Sequence, residues 1–102
     1  MTEERIQLFK MFNENFIGSR YAGEIVRQKI DEAINNGKIA LIDFTGINWI
    51  TQSFGDEIVG IYVRAFGVDF VKKNIKIENA NDEIRKMLNL VVGYSKKMSN
   101  VA

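Results

Sequence analysis

The stretch Ile39-Ala-Leu-Ile42 constrains this chain more than any other: an unbroken apolar run bounded by Gly37 and Gly46. Too short for a helix and without alternation, it reads as a central strand of a parallel sheet, covered on both faces. A loop over residues 45–52 follows, and apolar residues then recur at helical spacing from Phe54 to Phe66. Strand, loop and helix in that order place the loop at the strand's carboxyl end, where open α/β sheets carry their sites.

The flanking segments extend the pattern. Over residues 5–12, Ile6, Leu8 and Phe12 oppose Arg5, Gln7 and Lys10, which predicts a strand. A turn at 13–15 leaves Phe16-Ile17 as a short paired strand. Ser19 is placed to cap a helix with an inward stripe of Ala22, Val26, Ile30 and Ala33, which Gly37 ends. Beyond the second helix, Val68 to Val71 read as a turn, and residues 74–79 alternate as a strand near a sheet edge. Asn81 caps a third helix with an inward stripe of Ile84, Leu88 and Val91, and with Met87, Leu90 and Tyr94 beside it.

The order β-α-β-α-β-α implies one α/β domain over residues 1–102, with helices packed on a mainly parallel sheet. Its ends are expected to fray over residues 1–4 and 98–102. Three strands and three helices leave one sheet face thinly covered.

Composition removes several function classes. The chain has no cysteine and no histidine, so disulfides, thiolate nucleophiles and the commonest general base and metal ligand are all missing. Only carboxylate chemistry is left to an enzyme, and neither a catalytic residue, a cofactor nor a metal site is expected. The net charge of +1 argues against nucleic acid or an anionic membrane as partner. The acidic start, Met1-Thr-Glu-Glu, precedes no signal-like apolar core and no stretch could span a bilayer, so a cytoplasmic location is expected.

Candidate residues gather in and after the loop. Asp43, at the end of the central strand, either bonds loop backbone or acts as a receiver-like phosphoacceptor. Ser53, with Thr51 nearby, is either the N-cap of the second helix or a hydroxyl that accepts a phosphoryl group at the positive end of the helix dipole. Trp49 is either a core lid or an exposed anchor for a partner. Arg20 opens the first helix, where the dipole disfavours a cation, and this hints at an anionic partner. The second helix carries two apolar stripes, Phe54, Ile58, Ile61 and Ala65 beside Val59, Tyr62, Val63 and Phe66. One sheet cannot cover both, so Val59, Tyr62, Val63 and Phe66 are expected to face another element or another chain, such as a homodimer partner.

The stretch Ile42-Asp43-Phe44-Thr45-Gly46-Ile47, continued by Ile50-Thr51-Gln52-Ser53-Phe54-Gly55-Asp56-Glu57-Ile58, resembles the bacterial STAS-like domains of unknown function. Ser19-Arg20 with Ala22, and Asn79 after the third strand, add to the resemblance, which spans roughly residues 5–95. These domains look like relatives of the anti-sigma-factor antagonists. The resemblance implies a STAS-like fold, no enzymatic activity, and a partner-switching role in signalling through a histidine-kinase-like ATPase. It places partner contacts on Trp49, Gln52 and Ser53 of the loop and on the second helix. In such antagonists a serine in this loop is phosphorylated by the partner kinase, which breaks the complex. Where their motif reads Asp-Ser-Ser-Gly, this chain reads Thr51-Gln52-Ser53-Phe54; Ser53 matches the second serine and Gln52 stands at the usual phosphoacceptor. A plain homo-oligomerising structural domain is the remaining alternative.

Overall fold

The computed structural model describes residues 2–99. In chain order the elements are β1 (Glu3–Gln7), α1 (Leu8–Phe12), β2 (Phe16–Ile17), α2 (Arg20–Asn35), β3 (Ile39–Asp43) and β4 (Trp49–Ile50). One continuous helix follows, made of α3 (Gln52–Gly55), a π-helical turn (Asp56–Gly60) and α4 (Ile61–Phe66). The chain closes with α5 (Val68–Asn74), β5 (Ile75–Glu78) and α6 (Asp82–Ser99).

The apolar run is the centre of a parallel sheet of order β1-β3-β5. Its register aligns Ile6, Ile42 and Ile77 on one face, with Glu4, Ala40 and Ile75 in the next row of that face. Two right-handed crossovers running in the same direction across a sheet put their helices on one side. The core gathers there: Val26, Ile30 and Ala33 of α2, Phe54 and Ile58 of the central helix, and Ile84 and Leu88 of α6 pack with Ile6 and Ile42.

The opposite face has a different cover. Leu41 lies between Arg5 and Lys76 in the register, and only 1% of it is exposed. Lys76 of β5 reaches Glu3 of β1 at 3.0 Å, and Arg5 of β1 reaches Glu78 of β5 at 3.4 Å. Both ion pairs span the central strand, a gap of two strand spacings or roughly 10 Å. They cross it on either side of Leu41, and the alkyl stems of the long side chains supply the roof.

Several local expectations change. The strand predicted over 5–12 stops at Gln7, and Leu8–Phe12 turns into a helix. Leu8, Met11 and Phe12 recur at helical rather than alternating spacing, and Asn13 closes the turn in the left-handed region (φ 52°), which Asn tolerates. Val68 to Val71 open a helix instead of a turn. Residues Glu3 and Glu4, expected to fray, pair with Ile39 and Ala40, and Met98 lies in α6; the rest of the frayed-end expectation, residue 1 and residues 100–102, falls outside the described residues.

The largest correction concerns the central helix. Val59, Tyr62 and Val63, expected to face outward, are 3%, 4% and 2% exposed. The π-turn departs from the 3.6-residue period on which the two stripes were drawn. The helix is then enclosed by its neighbours. Tyr62 donates from its hydroxyl to the Asp31 carboxylate of α2 and stacks near Phe70 of α5, while Gly60 lies under Val91 of α6. A Cβ on Gly60 would stand 2.8 Å from a Val91 methyl, so the bare backbone is what lets α6 approach. Among the described residues, no helix is long and apolar enough to cross a membrane.

Candidate functional site

The loop after β3 is built by a sequence of backbone anchors. Asp43 organises its start: Oδ1 accepts from the Thr45 N–H at 3.0 Å, the Thr45 hydroxyl at 2.6 Å and the Asn79 amide at 3.0 Å, while Oδ2 accepts from Arg5 at 3.0 Å. Burial alone would raise the Asp43 pKa, but the bonds from Asn79, Thr45 and Arg5 outweigh it and hold the carboxyl well below the usual carboxylate range. The loop-bonding reading of Asp43 is the one the geometry displays.

Farther along, the Asn48 N–H donates to the Asn15 carbonyl at 2.7 Å, and β4 pairs with β2 so that Trp49 faces Phe16 and Ile50 faces Ile17. Alternation sends Ile17 and Ile50 inward and turns Phe16 and Trp49 out, where their rings stack with centroids 4.7 Å apart. Thr51 then pins the helix start: its hydroxyl donates to the Gly18 carbonyl at 2.7 Å and accepts from the Phe54 N–H at 3.1 Å. Thr51 is therefore the N-cap. Ser53, the other residue offered for that role, lies inside the first turn, because the helix begins at Gln52 rather than Phe54.

Two concavities flank Thr51. On one side an apolar groove of about 700 Å³ is lined by Phe12, Phe16, Ile17, Tyr21 and Ile25. On the other, an open cleft of about 380 Å³ holds Ser53 and Gln52 beside Arg20, Asp56, Arg64 and Tyr94. Ser53 is half-buried, and its hydroxyl has no side-chain hydrogen bond among the described residues.

The floor of that cleft is an ion network. Arg20 donates to Glu57 at 2.9 Å and to Asp56 at 3.3 Å; Arg27 also pairs with Glu57, and Arg64 reaches Asp56 at 2.7 Å. Arg64 reaches Ser95 of α6 at 2.9 Å as well. The Arg64 pair, against burial and with help from Arg20, lowers the Asp56 pKa. The unfavourable cation at the start of α2 thus has its anionic partners inside the chain. Burial, followed by the bond to Asp31, pushes the Tyr62 hydroxyl up.

Of the expected contact residues, the fold brings Trp49, Gln52 and Ser53 together at the surface. Val59, Tyr62 and Val63 are enclosed. Phe66 is 61% exposed but stands thirteen residues beyond Ser53, roughly 20 Å along the helix, where it packs on Phe70 with ring centroids 4.6 Å apart. Reading the sequence missed Phe16 and Tyr21, which border Trp49's groove; strand alternation from Ile17 was the signal for Phe16. Among the described residues, no cluster of three or more carboxylates could hold a metal.

A model of the STAS-like domain of unknown function matches residues 22–85, more than half of the chain. No curated protein and no solved structure gives a significant match. The matched span runs from the first buried residue of α2, through β3, the loop and the central helix, to β5 and the start of α6, and it contains Asp43, Trp49, Thr51 and Ser53. The chain belongs to the family of STAS-like domains of unknown function.

Proposed function

We propose that this domain is a non-enzymatic regulatory module that binds a protein partner, a histidine-kinase-like ATPase, through the segment Trp49–Ser53 at the carboxyl end of β3. The observation that carries this reading is the Phe16–Trp49 stack. Two large rings, 40% and 47% exposed, are held rigid by strand pairing at the rim of an apolar groove. Rigid aromatics of this kind are what a partner can use as anchors. Gln52 and Ser53 stand next to them on the other side of the Thr51 clamp.

The absence of histidine and cysteine from the sequence supports a non-enzymatic role. Asp43 is a poor phosphoacceptor in this setting, since both of its oxygens are engaged and its charge is stabilised by Arg5. The Ser53 hydroxyl has no such engagement, so phosphorylation by the partner remains the switch this reading predicts.

Titration calorimetry against a histidine-kinase-like ATPase encoded beside this chain, with and without ATP, tests the reading. Trp49→Ala should weaken binding by about 30-fold or more, the effect of losing one hot-spot anchor. Ser53→Asp should leave the thermal melt unchanged and abolish the complex, whereas Thr51→Ala should cost about 1 kcal/mol of stability through the lost cap. Wild-type binding that survives Trp49→Ala intact would sink the surface, and unchanged affinity in Ser53→Asp would remove the switch.

A further inference from the structure

α6 has two apolar sides. Ile84, Leu88, Val91 and Ser95 point into the domain, but Leu90, Tyr94 and Met98 recur at four-residue spacing on the other side and are 56%, 56% and 49% exposed. A second stripe on an 18-residue helix, about 27 Å long, is enough to support a helix–helix contact. The flanking charges are what identify its occupant.

We propose that this stripe docks against the same stripe of a second copy, with the two α6 helices antiparallel and the two-fold axis at Leu90. Glu83 and Lys97 are each seven residues from Leu90, on opposite sides of it. An antiparallel pair centred there sets Glu83 of each copy opposite Lys97 of the other. By the same count Lys86 meets Tyr94 of the second copy, a lysine over an aromatic ring, and Met87 meets Gly93. A Cβ on Gly93 would touch nothing in its own chain, so its backbone is open to a close approach.

The ends of the helix agree with this register. Asp82 and Glu83 occupy the first turn, and Lys96 and Lys97 the last. Antiparallel docking brings the acidic end of one copy to the basic end of the other and opposes the two helix dipoles. Parallel docking would set Glu83 against Glu83 and Lys97 against Lys97. Glu83 is also available: its contact with Lys86, at 3.6 Å between side chains 70% and 76% exposed, is a surface pair of little worth. The contact is self-complementary, as a two-fold interface must be. Tyr94 and Met98 also line the Ser53 cleft, so a docked copy would form one of its walls, while the Phe16–Trp49 stack stays uncovered.

Sedimentation equilibrium over a concentration series tests the proposal. The wild type should pass from monomer to dimer mass as concentration rises. Leu90→Asp, at an exposed position, should keep the wild-type melting temperature and remain a monomer. Glu83→Lys should weaken the dimer at least tenfold, and Glu83→Lys with Lys97→Glu should restore it. Because the chain has no cysteine, Leu90→Cys should form a symmetric disulfide dimer under mild oxidation while Lys86→Cys does not. A wild type that is monomeric throughout, or a dimer that survives in Leu90→Asp, overturns the interface. Failure of the charge-swapped pair to recover the dimer overturns the antiparallel register.

Discussion

Ile42 and Leu41 are neighbours in β3 and are nearly equally inaccessible, at 0% and 1% exposure, yet they lie under different materials. Ile42 faces a packed layer of helices. Leu41 faces two ion pairs that join the outer strands over its head. The first cover is apolar, close-packed and largely independent of solvent conditions. The second is made of flexible, hydrated side chains whose charges respond to salt and acid. A small domain can therefore bury both faces of a sheet with only one layer of helices, provided the outer strands carry long side chains of opposite sign in the right register.

Breaking the helix-covered side should have the largest effect. Val63→Asp places a charge where α2, α5 and α6 enclose the central helix, and should destabilise the monomer by more than about 4 kcal/mol. A folded variant with a near-normal melt would show that the helix layer is looser than described. Next comes the direct comparison of neighbours. Ile42→Ala should cost about 4 kcal/mol in urea denaturation, because packed helices relax poorly around a cavity. Leu41→Ala should cost about 2, since the long side chains above it can settle into the space. Equal losses would remove the distinction between the two covers.

Acid should sharpen the contrast further. The pKa of Asp43, on the ion-covered face, is lowered by folding, so the stability it contributes is complete above its unfolded value of about 3.9. That contribution is lost as pH falls below this value toward the folded pKa. Thermal stability should therefore fall on acidification below about pH 4, and less steeply in Asp43→Asn. Parallel curves for the two proteins would place the acid sensitivity elsewhere, with Asp56 the next group to examine. The smallest effect belongs to Lys76→Ala, expected to cost less than about 1 kcal/mol. Its difference from the wild type should shrink in roughly 1 M salt, where the Debye length is only about 3 Å.

Much of this arrangement was legible in the sequence. The Ile39–Ile42 run marked the central strand, Ile75-Lys76-Ile77-Glu78 marked an edge strand with one wet face, and Ser19 and Asn81 marked helix starts. The roof over Leu41 was not legible, because Glu3, Arg5, Lys76 and Glu78 come from strands about seventy residues apart and no local pattern joins them. The run was read as covered on both faces, which is correct, but nothing in it says by what. At the candidate site, Asp43 was placed correctly as a loop organiser, while the cap went to Thr51 rather than Ser53. Both are hydroxyls before an apolar run, and only the backbone path from Ile17 to Phe54 separates them. The outward stripe of Val59, Tyr62 and Val63 failed because a regular helical period was applied across a turn that does not keep it.

That π-turn, Asp56–Gly60, turns chain length into rotation. A helix advances about 100° per residue, and the widened turn stores one residue that an α-helical turn would not hold. Deleting a single residue here would let the segment close into ordinary helix without shortening its span appreciably, while everything after it is re-aimed about the axis. Tyr62 would leave Asp31, and Arg64 would leave Asp56, yet circular dichroism would report nearly the same helix content. Among relatives of this domain, a gap of one residue at this place would therefore act as a change of gear, altering which side chains of Ile61–Phe66 meet α2 and which meet α6 while the strands and the loop before it stay where they are.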